Sequence, residues 1–299
     1  MPRAAPIVLF VHKRPVHARR VLESLLRQPL AAQSPLTVYC DGARDPAEER
    51  AVREARAVVR SLAPAQARIL ERERNLGLAA SIIGGVSETI EAHGEAIVLE
   101  DDLELGPCAL EYFNAALERY RGEERAMHVS GYMYPVRAAL PESFFYREAT
   151  CWGWATWARA WRHFEPDARK IRDAVCSRGA TRDFDVDGSA EFSIMLDRQI
   201  AGTIDSWAIR WYGSLWLHGG LALHPGKSLM RNTGFDGSGV HSGSSRAWDV
   251  ELATAPVKRF PDRVEEDAAV LPAMVAYRRR VSRLHALESI GRRLRGWLR

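Results

Sequence analysis

The sequence has no stretch approaching the roughly twenty apolar residues that span a bilayer. Its first apolar run, Ile7 to Val11, is too short for a secretory signal core and lacks a small-residue cleavage site. There are only four cysteines, Cys40, Cys108, Cys151 and Cys176. They form neither a CxxC pair nor a disulfide spacing, so buried free thiols in a reducing cytoplasm are expected. No fixed-period repeat and no long low-complexity run is present. Neither sign of charge dominates: 42 basic against 38 acidic residues leave a net +4, which does not indicate nucleic acid as a partner. Glycine is missing where a dinucleotide fingerprint needs it. The turn after the first apolar run is His12-Lys13-Arg14-Pro15-Val16-His17, so a hydride-transfer reading loses its main support. A phosphate loop fails as well. Gly226-Lys227-Ser228 has the right ending, but leucine stands at 221 where the motif requires glycine.

What is present is a core-forming chain, 46% hydrophobic over 299 residues. Pro6 to Val11 reads as a buried strand, Val21 to Leu26 as one face of a helix, and Leu36 to Cys40 as a second strand closed by Asp41-Gly42. A helix from about 47 to 62, a strand at 68–70, a helix from 78 to 92, the strand Ala96-Ile97-Val98-Leu99 and a helix from Pro107 to Tyr120 complete an alternating pattern. Such alternation predicts an α/β fold, a mostly parallel sheet covered on both faces. Ligands in such folds sit beyond the carboxyl ends of the strands, where Arg14, Asp41, Asn75 and Asp102 fall. Val129 and its neighbours return to the sheet. A helix is expected at 190–201, and the glycine-rich stretch from 219 to 243 reads as ordered loop over a site. The expected division is a domain over 1–250, with a donor half to about 125 and an acceptor half beyond it, and a basic tail over 251–299 that is helical from about Asp267 to Arg299.

The most informative segment is the apolar strand that runs into Glu100-Asp101-Asp102. Three acids at the end of a buried strand repel one another and resist desolvation. A divalent cation answers both costs, because hard carboxylate oxygens hold Mg²⁺ or Mn²⁺ and the metal in turn holds a diphosphate. A solvated acidic turn is the plainer alternative. Asp41, directly after a strand, is placed to accept a hydrogen bond from a pyrimidine ring nitrogen. Arg14 and Arg74 offer planar or bidentate contacts to ribose or phosphate.

Together Pro6 to Pro15, Asp41-Gly42, Arg74-Asn75-Leu76-Gly77 and Glu100-Asp101-Asp102 resemble the nucleotide-sugar glycosyltransferases of the GT-A (Rossmann-like) fold. The likeness is to family-2-like bacterial enzymes and to the N-acetylglucosaminyltransferases that initiate complex N-glycans. In the latter, Glu-Asp-Asp replaces the commoner Asp-x-Asp. Val98 to Glu104 followed by Glu111-Tyr112-Phe113 carries the resemblance. So do Arg231 to Phe235 and Gly239-Val240-His241-Ser242-Gly243, which are similar to a C-terminal donor loop.

The resemblance implies a metal-dependent, inverting transfer from a UDP-sugar to a glycan or lipid-linked glycan, in bacterial surface polysaccharide synthesis. Asp102 is then the direct metal ligand and His241 a second metal or diphosphate contact. Glu100 and Asp101 orient ribose, uridine or metal-bound water, and Asp41 holds the uracil. Arg14, Arg74, Asn75 and Gly77 complete the donor side. One-step inversion needs a carboxylate to take the acceptor proton. Asp205, in Ile204-Asp205-Ser206-Trp207, resembles the tryptophan-flanked base of these enzymes, although Ile204 replaces the first tryptophan. Asp183, Asp185, Asp187 and Glu191 are reserves. Trp152, Trp154 and Trp207 are the acceptor-side aromatics, set against the reading of a core cluster.

In the tail, Val281, Leu284, Leu287, Ile290, Leu294 and Trp297 recur at helical spacing among arginines. This suits an anionic membrane surface, or a helix docked on its own domain. Two other classes share the acidic strand end. One is a nucleotide-sugar-binding module without catalysis. The other is a nucleotidyltransferase, which the missing glycine-rich loop argues against.

Overall fold

The computed structural model describes residues 4–235 and 246–297, with side chains up to Arg283. The chain opens with β1 (Ile7–Val11), α1 (Pro15–Leu26), β2 (Leu36–Cys40), α2 (Glu49–Leu62), β3 (Arg68–Glu71), α3 (Leu78–His93), β4 (Glu95–Glu100) and β5 (Leu103–Leu105). It continues through α4 (Ala109–Arg119), β6 (Ala126–Ser130), β7 (Ser143–Tyr146), β8 (Trp154–Trp157) and α5 (Ala158–Trp161). Then follow α6 (Ala168–Ser177), α7 (Thr181–Phe184), α8 (Phe192–Ile200), α9 (Trp207–Leu217), β9 (Leu221–Pro225), β10 (Met230–Asn232) and α10 (Val270–Trp297).

Among the described residues eight strands form one sheet in the order β3-β2-β1-β4-β8-β6-β9-β7, and β10 pairs with β5 beside it. From β3 to β4 every neighbour is parallel, β8 runs antiparallel to both β4 and β6, and β9 is parallel to β6. The expected α/β architecture is therefore present, with a more mixed sheet beyond β4. β1 and β4 read as continuous apolar runs because both their faces are covered. Leu9 and Leu99 pack toward α1, α2 and α4, while Val8 and Val98 pack toward α3 and α9. Each such side chain contributes about 1.5–3 kcal/mol of burial.

One expectation is corrected. The stretch from 219 is not simply loop, because Leu221–Pro225 is a fully buried strand of the main sheet and Met230–Asn232 a partly buried strand paired with β5. The flanking glycines mask the apolar residues between them. The tail turns helical at Val270, close to the expected start near Asp267. Residues 251–269 lie extended along the domain, where Phe260 stacks on Tyr112 and the Asp267 N–H donates to the Phe145 carbonyl. The helix starts at Val270, and Val270, Met274, Tyr277 and Val281 are buried against its own domain. Its side chains from 284 onward, on which an anionic-surface reading turns, lie outside the described residues. No described helix is long and apolar enough to cross a membrane. All four cysteines are free. Cys40 is buried, with its thiol pushed up to about 12 by desolvation, whereas Cys176 is exposed rather than buried.

His128 on β6 illustrates how tightly the second half is built. Its Nδ1 accepts from the Trp211 indole N–H (3.0 Å), so its Nε2–H donates to the Thr150 carbonyl (3.0 Å). Burial pushes its pKa down to about 3, and buried His224 is pushed in the same direction by desolvation. Both folded values lie below the ordinary histidine value near 6.5. The stability from keeping these rings neutral is therefore complete above about pH 6.5 and is lost as pH falls toward the folded values. The unfolding free energy should fall between pH 6.5 and 5, by up to about 1.4 kcal/mol per pH unit for His128, and with it the urea midpoint. A His128→Gln variant should lose its share of that slope, and an unchanged slope would refute the assignment.

Candidate active site

The site gathers where β1, β2 and β4 end. Asp101 leaves β4 directly, and its carboxylate accepts from the His12 backbone N–H (3.1 Å) and from the Arg14 guanidinium. This ties the end of β1 to the end of β4. Arg14, the residue before α1, also pairs with Asp102 at 3.2 Å. Asp41 ends β2 and is filled by four donors. Its oxygens accept from the backbone N–H groups of Gly42, Leu76 and Gly77 at 3.0–3.2 Å and from the Ser81 hydroxyl at 3.4 Å. Asn75 donates to the Gly42 carbonyl (2.8 Å), and its Oδ1 accepts the Gly77 N–H (3.0 Å).

The sequence-derived residues thus converge on one corner, but several serve as its frame. Asp41 and Asp101 are buried, Asp41 accepting from four protein donors and Asp101 from two. Arg14 is spent on the two aspartates rather than extended to ribose or phosphate. Asn75 and Gly77 shape the loop that seats Asp41. Arg74 is exposed on that loop.

Glu100 and Asp102 carry the electrostatic tension. Desolvation, then the charges of Asp102 and Asp101, drive the Glu100 carboxyl well above the usual carboxylate range, against the pull of Arg14. Asp102 is raised by desolvation and by Asp101, with Arg14 again opposing. Two carboxylates held above their ordinary values beside a single guanidinium form a corner short of positive charge.

The segment after β10 returns to this corner. The Thr233 N–H and hydroxyl donate to the Asp102 backbone carbonyl at 2.7 and 3.0 Å. A Cβ on Gly234 would come within 2.6 Å of Asp102 Oδ2 and 3.1 Å of Arg14 Nη1, so any side chain there would have to displace the Asp102 carboxylate. His241 lies outside the described residues.

The tryptophans divide. Trp154 and Trp207 stack on each other at 5.2 Å inside the core, against Trp161 and Trp211, and both are buried. The β4–β8 pairing, Val98 with Trp154, carries Trp152 to the level of Glu100. Trp152 is partly exposed and meets Phe235 edge-on at 5.4 Å. Gly153 holds a left-handed turn (φ +73°), and the space beside it is filled by the Met230 side chain rather than left for a ligand.

Asp205 stands just before α9, whose first residue stacks on Trp154 and whose end leads within a few residues into β9. Because β9 is parallel to β6, and β6 and β4 both run opposite to β8, α9 begins at the same sheet edge as the acids. The Asp205 side chain is 69% exposed, and its Oδ1 accepts from Arg210 at 2.7 Å. The reserves are engaged elsewhere. Asp183 pairs with Arg147, Asp185 caps Ser193, and Asp187 pairs with Arg182. Glu191 precedes α8.

Sequence reasoning missed His12, whose Nε2 lies 3.0 Å from the Gly42 carbonyl and 3.4 Å from Glu48, and His17, which faces Thr233 O at 3.3 Å. Their place in the first strand-to-helix turn was the available signal.

Among the described residues, no group of three or more His, Cys, Asp and Glu side chains is arranged to hold a metal ion. Mg²⁺ and Mn²⁺ at diphosphate sites need only one or two carboxylates, the rest coming from phosphate and water. Asp102, hard-oxygened and raised by its neighbours, fits that requirement.

No family model matches the chain, and no curated protein matches it. Among solved structures it is similar to GalNAc-T7, crystallised with UDP, GalNAc and Mn²⁺, at 10% identity and a TM-score of 0.48. That alignment covers 75% of this chain and 42% of the other.

Proposed function

We propose that this chain is a nucleotide-sugar glycosyltransferase. It takes a UDP-sugar at the carboxyl end of β4 and transfers the sugar, with inversion, to a glycan hydroxyl in surface polysaccharide synthesis. The observation that carries the reading is the corner itself: carboxylates at the sheet's carboxyl edge, raised by burial and mutual repulsion, with the 233–235 backbone laid against Asp102. Asp102 is the residue to hold Mn²⁺ or Mg²⁺, and a bound ion would offset charge on the leaving diphosphate. Arg14 keeps Asp102 and Asp101 apart in charge and fixes their orientation. Trp152 offers a partly exposed ring to a pyranose face beside the acids.

Asp205 supplies the base. Arg210 orients its carboxylate through Oδ1, which leaves Oδ2 to accept the acceptor hydroxyl proton as the new bond forms. Asp205→Asn should lower kcat by about 10²–10⁴ with donor affinity unchanged. Equal kcat would remove Asp205 from the mechanism. A wild-type chain that binds the donor yet transfers to no acceptor in a broad set would instead be a binding module.

A further inference from the structure

Resting on the donor-site reading, a second observation concerns α10. The backbone at 247–250 is fastened by three side chains from distant segments. The Tyr277 hydroxyl of α10 donates to the Ala247 carbonyl (2.7 Å), the Tyr132 hydroxyl to the Trp248 carbonyl (2.8 Å), and Arg231 Nε to the Val250 carbonyl (3.1 Å). The Trp248 ring is shared in the same way. It meets Tyr277 at 6.0 Å, Tyr134 at 5.7 Å and Trp152 at 6.3 Å. Trp152 in turn meets Phe235, the residue after the glycine that lies against Asp102. A continuous run of packed rings therefore leads from α10 to the acidic corner.

α10 itself is anchored deeply. Arg278 makes a buried ion pair with Glu148, and Tyr134 donates to the same carboxylate at 2.7 Å. Tyr277, one residue earlier, is thus held to a fixed depth and presents its hydroxyl to residue 247. A helix that served only as an external anchor would need neither this buried pair nor a hydrogen bond to that backbone.

We propose that α10 is part of the catalytic unit, with Tyr277 as the positioning residue that sets Trp248 and, through Trp152 and Phe235, the wall beside Asp102. Tyr277 touches none of the reacting atoms. Its effect travels through packed rings that a shift of the 247–248 backbone would move together.

The test uses the full chain and two variants. Tyr277→Phe removes the hydroxyl and keeps the ring, while Tyr277→Ala removes both. In hydrogen–deuterium exchange, the peptide covering 246–252 should exchange about fivefold faster in Tyr277→Phe, the scale of one lost neutral hydrogen bond, and faster again in Tyr277→Ala, with β1 to β4 unchanged. The KM for UDP-sugar should rise about fivefold in Tyr277→Phe, with kcat changed by less than about twofold. Unchanged exchange at 246–252, or a loss of kcat with KM intact, overturns the proposal. The exchange arm needs no ligand. If wild type binds no UDP with Mn²⁺, the donor reading fails, while the link from α10 to 247–250 is still decided.

Discussion

Replacing Asp102 with asparagine should lower sugar transfer at least about 10³-fold and abolish manganese-dependent UDP binding, while raising the melting temperature of the ligand-free protein. The two effects share one cause. In the free protein burial and the Asp101 charge hold the Asp102 carboxyl above the usual range, so its ionised form is disfavoured. A carboxyl raised on folding stabilises the fold fully only below its unfolded value, and that contribution is lost as pH rises through the folded value. At pH 7 the charge is therefore a cost, and asparagine removes it. The relief should be read as a higher melting temperature of the ligand-free protein at pH 7. The gain should shrink as pH is lowered into the ordinary carboxylate range. Glu100→Gln should behave alike in stability, because the same burial and the same neighbours act on Glu100. A destabilised Asp102→Asn protein would mean that the Arg14–Asp102 pair outweighs the repulsion.

The second large effect lies at the buried ion pair that anchors α10. Glu148→Ala should destabilise the protein by about 3–5 kcal/mol, the cost of stranding a buried charge. Arg278 is nearly enclosed. Burial works against its charge, and the Glu148 carboxylate, with help from Tyr134, holds it protonated. Without Glu148 the guanidinium is left with the Tyr134 hydroxyl at 3.2 Å and the carbonyl-free face of Phe192. The Glu148→Gln, Arg278→Met double variant removes both charges, and such replacements are commonly near neutral. Urea denaturation should place it well above Glu148→Ala in stability. If the single and double variants fall equally, the loss reflects packing and not the charge.

The first half of the chain was legible because its strands are buried on both faces and its helices are amphipathic. Leu36–Cys40 coincides with the structural strand, and the acids stand where the apolar run stops. The second half was harder to read. β9 is five residues between glycines and a proline, and its identity as a sheet strand comes from pairing with β6, a long-range contact that no local pattern announces. At the site, residue type and strand-end position were enough to gather Arg14, Asp41, Asn75, Asp101 and Asp102. They were not enough to distinguish a group that faces a ligand from one that holds the frame. That distinction depends on how many protein donors each carboxylate already accepts, and Asp41 and Asp102 differ in this respect while looking alike in sequence. The tryptophans teach the same lesson. Trp152 and Trp154 are two residues apart on a strand path that turns at Gly153, yet one reaches the sheet edge and the other is wholly buried.

The central claim, that the end of β4 is where a cation and a nucleotide diphosphate meet, is tested most directly by anomalous diffraction from crystals soaked with UDP and Mn²⁺. The expected result is a manganese peak at coordination distance from an Asp102 oxygen, roughly 2.0–2.2 Å, with the diphosphate on its far side. Well-ordered UDP bound elsewhere, or bound here with Asp102 still paired to Arg14 and no manganese between them, would contradict it.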